Sequence, residues 1–80
     1  MPDDIERRVI RLIDNRHNRP RIEVKTTTDL VHDLGFDAQD CGTLIRDLEA
    51  EFNIEIGDGE VTGIAKVQDI IDVITSQRGP

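Results

Sequence analysis

Cys41 and Thr43 are the first side chains to weigh for chemistry, because both carry a nucleophilic atom in a helix-forming run and Cys41 lies near its start. A thiol there meets the positive end of the helix dipole, which lowers its pKa and would make it a stronger nucleophile. Cys41 also falls on an apolar stripe with Leu44, Ile45 and Leu48, and unpaired cysteine is among the most buried residue types, so packing is its expected role. Thr43 stands further into the helix, away from the terminus. His17, His32 and Cys41 could be imagined around a metal, but none are at the spacing of a C-x-x-C or H-x-x-x-H pair, and no metal site is expected. Asp58-Gly59-Glu60 lacks the surrounding ligand pattern of an EF-hand. The many carboxylates have no apolar wall to push two pKa values apart, so they do not read as a general acid and base. The sequence is not expected to be an enzyme.

These side chains must be positioned by a small number of helices. Ile5, Val9, Leu12 and Ile13 form one stripe of an amphipathic first helix, with Asp3 or Asp4 as its expected cap and Arg19-Pro20 closing it before a long loop. Ile22, Val24 and Leu30 are the expected inward anchors of that loop. Thr26, Thr27, Thr28 and Asp29 look like the polar start of a short helical turn carrying Leu30, Val31 and Leu34, which Gly35 ends. The second long helix has Asp37 as its N-cap candidate and Cys41, Leu44, Ile45, Leu48 and Phe52 on one face. Ile54 and Ile56 alternate with acids, but one brief alternation without a partner strand reads as an extended connector. Gly57, Gly59 and Gly63 leave room for one short helical turn, and Val67, Ile70, Ile71 and Ile74 mark the last helix. The expected fold is all-α: a single domain over residues 1–80, with three main helices, a short helical turn and a long first loop.

Composition narrows the function classes. The chain has 80 residues, 17 acidic and 10 basic side chains, one Cys and a net charge of −7. A chain of this size has one core and little room for a large cleft. One cysteine cannot form an intrachain disulfide, no apolar run is long enough to cross a bilayer, and the N-terminus lacks the pattern of a secretory signal; a soluble, cytoplasmic monomer is expected. Residues 1–28 carry a net charge of +2 and residues 29–80 a net charge of −9. Nucleic-acid binding is disfavoured, since affinity for phosphates comes from Lys and Arg releasing counterions. Arg7, Arg8, Arg11, Arg16, Arg19 and Arg21 argue the other way, but their plainer role is to balance nearby acids on a solvated face.

The segment Asp33-Leu34-Gly35-Phe36-Asp37-Ala38-Gln39-Asp40 resembles the acyl carrier proteins, whose motif is Asp-Leu-Gly-x-Asp-Ser-Leu followed by a helix. Leu48-Glu49-Ala50-Glu51-Phe52-Asn53-Ile54-Glu55-Ile56 is similar to the family's Leu-Glu-x-x-Phe-x-x-x-Ile segment, and residues 64–74 resemble its closing helix. The resemblance covers essentially the whole chain without an insertion. It implies a carrier fold serving fatty-acid, polyketide or specialised lipid biosynthesis, with acyl groups held as thioesters on phosphopantetheine. The arm is attached at the motif serine, and that position here is Ala38. A methyl group has no oxygen to form the phosphodiester, so no cofactor is expected on this chain as written, and phosphopantetheine is expected only if Ala38 were Ser. A serine-to-alanine replacement in an otherwise ordinary carrier would have the same consequence.

The neighbours of Ala38 also depart from the family. Gln39 stands where the family has Leu, Gly42 where it usually has Val, Thr43 where it often has Glu, and Arg46 where an apolar residue is common. The resemblance implies that the second helix docks on basic faces of acyl-chain synthesis enzymes, and Asp37, Gln39, Asp40, Arg46, Asp47, Glu49 and Glu51 are the candidate partner-binding residues. In a loaded carrier, Leu44, Ile45, Leu48, Ile56, Ile64, Val67 and Ile71 would surround the acyl chain; otherwise they simply form the core. The second reading is a module of the same fold that carries nothing and docks a basic partner through this acidic helix.

Overall fold

A computed structural model describes residues 3–16 and 22–78. Four helices follow in chain order: α1 (Asp3–Asp14), α2 (Ala38–Phe52), the short α3 (Asp58–Val61) and α4 (Val67–Arg78). Helix α1 packs against both α4 and α2. The expected all-α arrangement of three main helices, one short turn and a long first loop is the observed one. His17, Arg19, Pro20 and Arg21 lie outside the described residues, and so does the expectation that Arg19-Pro20 closes α1.

The aliphatic stripes converge on one core. Val9 and Ile13 of α1, Leu44 and Leu48 of α2, and Val67, Ile70 and Ile74 of α4 are fully shielded from solvent. Burying such a side chain contributes about 1.5–3 kcal/mol, so these seven positions dominate stability. Phe36 and Phe52 are buried beside them, while Ile5, Leu12 and Cys41 are partly buried at the margin. Ile22 is half-buried, and Val24 and Leu30 are buried, which anchors the long loop inward.

The ends of α2 are set by side chains. Asp37, in an extended conformation, accepts a hydrogen bond through its carboxylate from the Asp40 N–H at 2.8 Å, and Asp40 accepts from the Asp37 N–H at 3.1 Å. This reciprocal capping box satisfies two donors that a helix start leaves open. At the other end Asn53 takes the left-handed conformation, φ 55°, which its short polar side chain tolerates, and Ile54 donates back to the Glu49 carbonyl at 3.1 Å.

One expectation at a helix start needs correction. Helix α1 already begins at Asp3, so Asp4 sits inside the first turn rather than at the cap, and it pairs there with Arg7 at 3.2 Å and Arg8 at 3.6 Å. In the long loop, Asp29, the last of the polar residues expected at the start of the turn, organises it: its carboxylate accepts from Val31 at 3.0 Å and His32 at 2.8 Å, while the Thr28 hydroxyl accepts from the Lys25 N–H at 2.7 Å just before it. Leu30 and Leu34 point inward, but Val31 is half exposed. Gly35, with φ 73°, then reverses the chain so that Phe36 donates to the Leu30 carbonyl at 3.0 Å.

The threonine carbonyls serve a second element. The carbonyls of Thr28 and Thr26 accept from the Val67 and Gln68 N–H groups at 3.0 and 2.9 Å, so the loop backbone caps the start of α4. Asp69 completes that cap by accepting from Ala65 and Lys66, both at 2.9 Å. Residues 53–57 form the expected extended connector; among the described residues the only β-type pairing is an isolated antiparallel bridge between Asp29 and Lys66.

Candidate functional site

The turn ending at Gly35 and the capping box at Asp37 deliver the chain into α2 with Ala38 as its first helical residue, exposed to solvent. A side chain at this place is presented outward at a helix start. Ala38 offers only a methyl group there. The nearest hydroxyl along the helix, on Thr43, donates to the Gln39 carbonyl at 3.0 Å, one turn back on its own helix. Cys41 is half-buried against the core, and burial first, then the charges of Asp40 and Asp37, push its thiol pKa above the usual 9.0. The dipole that would have activated this thiol is outweighed, and it packs as a small apolar residue. Thr43 and Cys41 are thus engaged within the fold, whereas Ala38 is the residue presented at the helix start.

The remaining candidate residues divide between two faces of α2. Gln39, Gly42, Arg46 and Ala50 are exposed, with Thr43 half-buried beside them, and follow the helical repeat on the side opposite Cys41, Leu44, Ile45, Leu48 and Phe52. The acids lie on the flanks. Toward α1, Asp47 pairs with Arg16 at 2.5 Å and Glu51 with Arg8 at 2.8 Å. Arg8 also donates to the Glu51 carbonyl at 2.9 Å and stacks over the Phe52 ring. On the opposite flank, Glu49 accepts from the Ile56 N–H at 2.8 Å. Asp37 and Asp40 cap each other at the helix start.

The arginine series and the acids of α2 thus answer each other within the chain. Sequence spacing gave no sign of this, because Arg8 and Glu51, or Arg16 and Asp47, come together only when α1 packs on α2. Of the arginines considered as a possible nucleic-acid patch, Arg7, Arg8 and Arg16 are in ion pairs. His32 is exposed, and no group of three His, Cys, Asp or Glu side chains is arranged to hold a metal among the described residues.

A helix start that presents one residue to solvent after Asp-Leu-Gly-Phe-Asp, backed by an aliphatic helical core, is the arrangement of a carrier domain. Residues 7–74 match the family described as Phosphopantetheine attachment site. The chain belongs to this carrier family. It is similar to an acyl carrier protein of Rickettsia bellii (strain RML369-C), with 29% identity over 76 residues, spanning 95% of this chain and 88% of that protein. The family match includes α2 and the preceding turn. No helix among the described residues is long and apolar enough to cross a membrane.

Proposed function

We propose that this chain serves acyl-chain biosynthesis, of fatty acids, polyketides or specialised lipids, as a carrier-family protein that is not itself loaded with phosphopantetheine. The observation that carries this reading is Ala38. It occupies the exposed first position of α2, after an intact Asp37 cap and Gly35 turn, where the family's motif has the attachment serine. The presentation is kept and the oxygen is gone. Its role would then rest on docking rather than on transport of a thioester.

Intact mass tests it directly. The chain and its Ala38→Ser variant are incubated side by side with coenzyme A and a promiscuous phosphopantetheinyl transferase. The expected result is no mass change for the chain and the gain of one phosphopantetheine for Ala38→Ser. A gain by the unaltered chain would overturn the reading and direct attention to Cys41 or Thr43.

A second reading is favoured by the outward face of α2. Gln39, Gly42, Thr43 and Arg46 depart together from the family pattern and lie on one exposed ridge, as expected of an interaction module that has diverged from carriage altogether. Failure of Ala38→Ser to gain mass, with its fold intact by circular dichroism, would favour this module.

A further inference from the structure

We infer that the Asp58-Gly59 step of α3 is a site of spontaneous main-chain rearrangement, at which aspartate converts to isoaspartate in the folded protein and loosens the segment between α2 and α4. Asp58 is the one aspartate in the sequence followed by glycine. Without a Cβ to obstruct it, a glycine nitrogen reaches the preceding carboxyl group more readily than that of any larger residue. Both residues are exposed. The carboxylates of Asp29, Asp37, Asp40 and Asp69 are held by backbone N–H groups, and those of Asp4 and Asp47 by arginines, whereas the Asp58 carboxylate makes no hydrogen bond or ion pair among the described residues. It is free to turn onto its own main chain.

The nucleophile is equally free. The N–H groups of Glu60 and Val61 both donate to the Gly57 carbonyl at 3.0 Å, but the Gly59 N–H donates to no group among the described residues. A Cβ built on Gly59 would meet nothing within 4 Å, so the step is surrounded by open space. Helix α3 has four residues and buries none of them, and a turn so weakly packed opens at small cost.

The rearrangement needs only water. The Gly59 nitrogen attacks Cγ of the Asp58 carboxyl group in its acid form, and the carboxyl hydroxyl departs with the amide proton as water, which closes a five-membered succinimide. Water then adds to either ring carbonyl. Addition at Cγ breaks the new C–N bond and restores aspartate; addition at the main-chain carbonyl carbon breaks the original peptide bond and leaves that carbon as a free carboxyl group. One water leaves and one returns, so mass is unchanged. The chain now runs through Cβ and Cγ and is one carbon longer between Gly57 and Glu60. The Thr62 N–H loses the Asp58 carbonyl that it meets at 3.1 Å. The Gly57–Glu60 pair, in which the Glu60 carboxylate accepts from the Gly57 N–H at 3.2 Å, loses its register. Gln77 of α4, which donates to the Glu55 carbonyl and to the Glu60 carboxylate, is then left holding a loosened segment.

The folded chain is incubated at neutral pH and physiological temperature, and isoaspartate is read by methyl transfer from S-adenosylmethionine with an isoaspartyl methyltransferase, followed by peptide mapping. Label is expected to accumulate with time and to map to the peptide that contains residues 58 and 59. It should be lost in Asp58→Glu, whose ring would need six members, and in Gly59→Val, with thermal melts showing that both variants fold. The isoaspartate form, separated by chromatography, is expected to exchange its Val61 and Thr62 amides faster while the α2 core is unchanged. Label at another residue, undiminished label in either variant, or label that appears only when the chain is unfolded in urea would overturn the inference, as would unchanged exchange in the separated form. These outcomes are independent of whether Ala38→Ser is loaded, so this inference and the proposed function can fail separately.

Discussion

The guanidinium of Arg8 lies 4.3 Å from the centroid of the Phe52 ring, so a cation on α1 covers the last aromatic side chain of α2. The same guanidinium donates to the Glu51 carboxylate and carbonyl, and it is held between them and the ring.

Replacing Arg8 with Met keeps much of the apolar stem but removes the stacked cation and both hydrogen bonds. An exposed ion pair contributes about 0–1 kcal/mol and a partly exposed cation–π contact about 0.5–1 kcal/mol, so Arg8→Met is expected to cost about 1–2 kcal/mol in urea unfolding. Arg8→Lys should recover only part of this, because an ammonium cannot stack flat or bridge both acceptors as the planar fork does. A full recovery by Lys would show that charge alone matters at this contact.

Acid should loosen the junction between the long loop and α4. Asp29 is held below its ordinary 3.8 chiefly by the His32 N–H; desolvation opposes this as the next-largest effect, and the Val31 N–H and the charges of His32 and Lys66 add to the lowering. Asp69 is lowered in the same direction by the N–H groups of Lys66 and Ala65. Both carboxylates are more acidic folded than unfolded, so their contribution is fully present above the unfolded value and disappears as pH falls through the folded values. Melting temperature should therefore fall below about pH 4, and Asp69→Asn should flatten that fall. Amide exchange at Lys66, Val67 and Gln68 should quicken in the same window, ahead of the α2 core.

Much of this architecture is legible in the sequence because it is written in local signals. The stripes of α1, α2 and α4 and the Asp37 cap are matters of spacing within one helix, and Gly35 marks its turn by type. What spacing does not reveal is contact between distant segments. Thr26 and Thr28 read as a local helix start, yet their carbonyls cap α4 some forty residues later. Glu49 reads as a surface acid, yet it holds the connector that follows α2. The candidate site divides in the same way: Ala38 and the ridge residues are placed by helical geometry alone, whereas the neutralisation of Asp47 and Glu51 depends on how α1 packs.

Gly42 separates helix stability from docking. The interior of a helix favours Ala over Gly by about 1 kcal/mol, and nothing lies within 4 Å of a Cβ at this position. Gly42→Ala is therefore expected to stabilise the chain by about 0.5–1 kcal/mol, read as a higher denaturation midpoint with an unchanged slope. A loss of stability instead would mean that α2 is already strained at this turn, and the glycine would then have a reason inside the fold.

The carboxylate of Glu49 has a role that charge reversal would confuse with binding. Its Oε2 satisfies the N–H of Ile56, whose side chain is 7% exposed, and no strand is present to take that donor among the described residues. Removing the acceptor leaves a part-buried N–H unsatisfied, so Glu49→Ala is expected to cost about 1–3 kcal/mol, while Glu49→Gln, which keeps an oxygen in place, should cost less. Faster exchange of the Ile56 amide in the Ala variant, with the Gln variant close to the parent, would be the signature. Equal loss in both would show that charge, not the hydrogen bond, fixes the connector. Reversing Glu49 or Glu51 to Lys would also break contacts to Ile56 or Arg8, so lost partner binding in such variants would mix unfolding with docking. Arg46 makes no such contact to an acid among the described residues, which makes its reversal the cleaner test of the α2 surface.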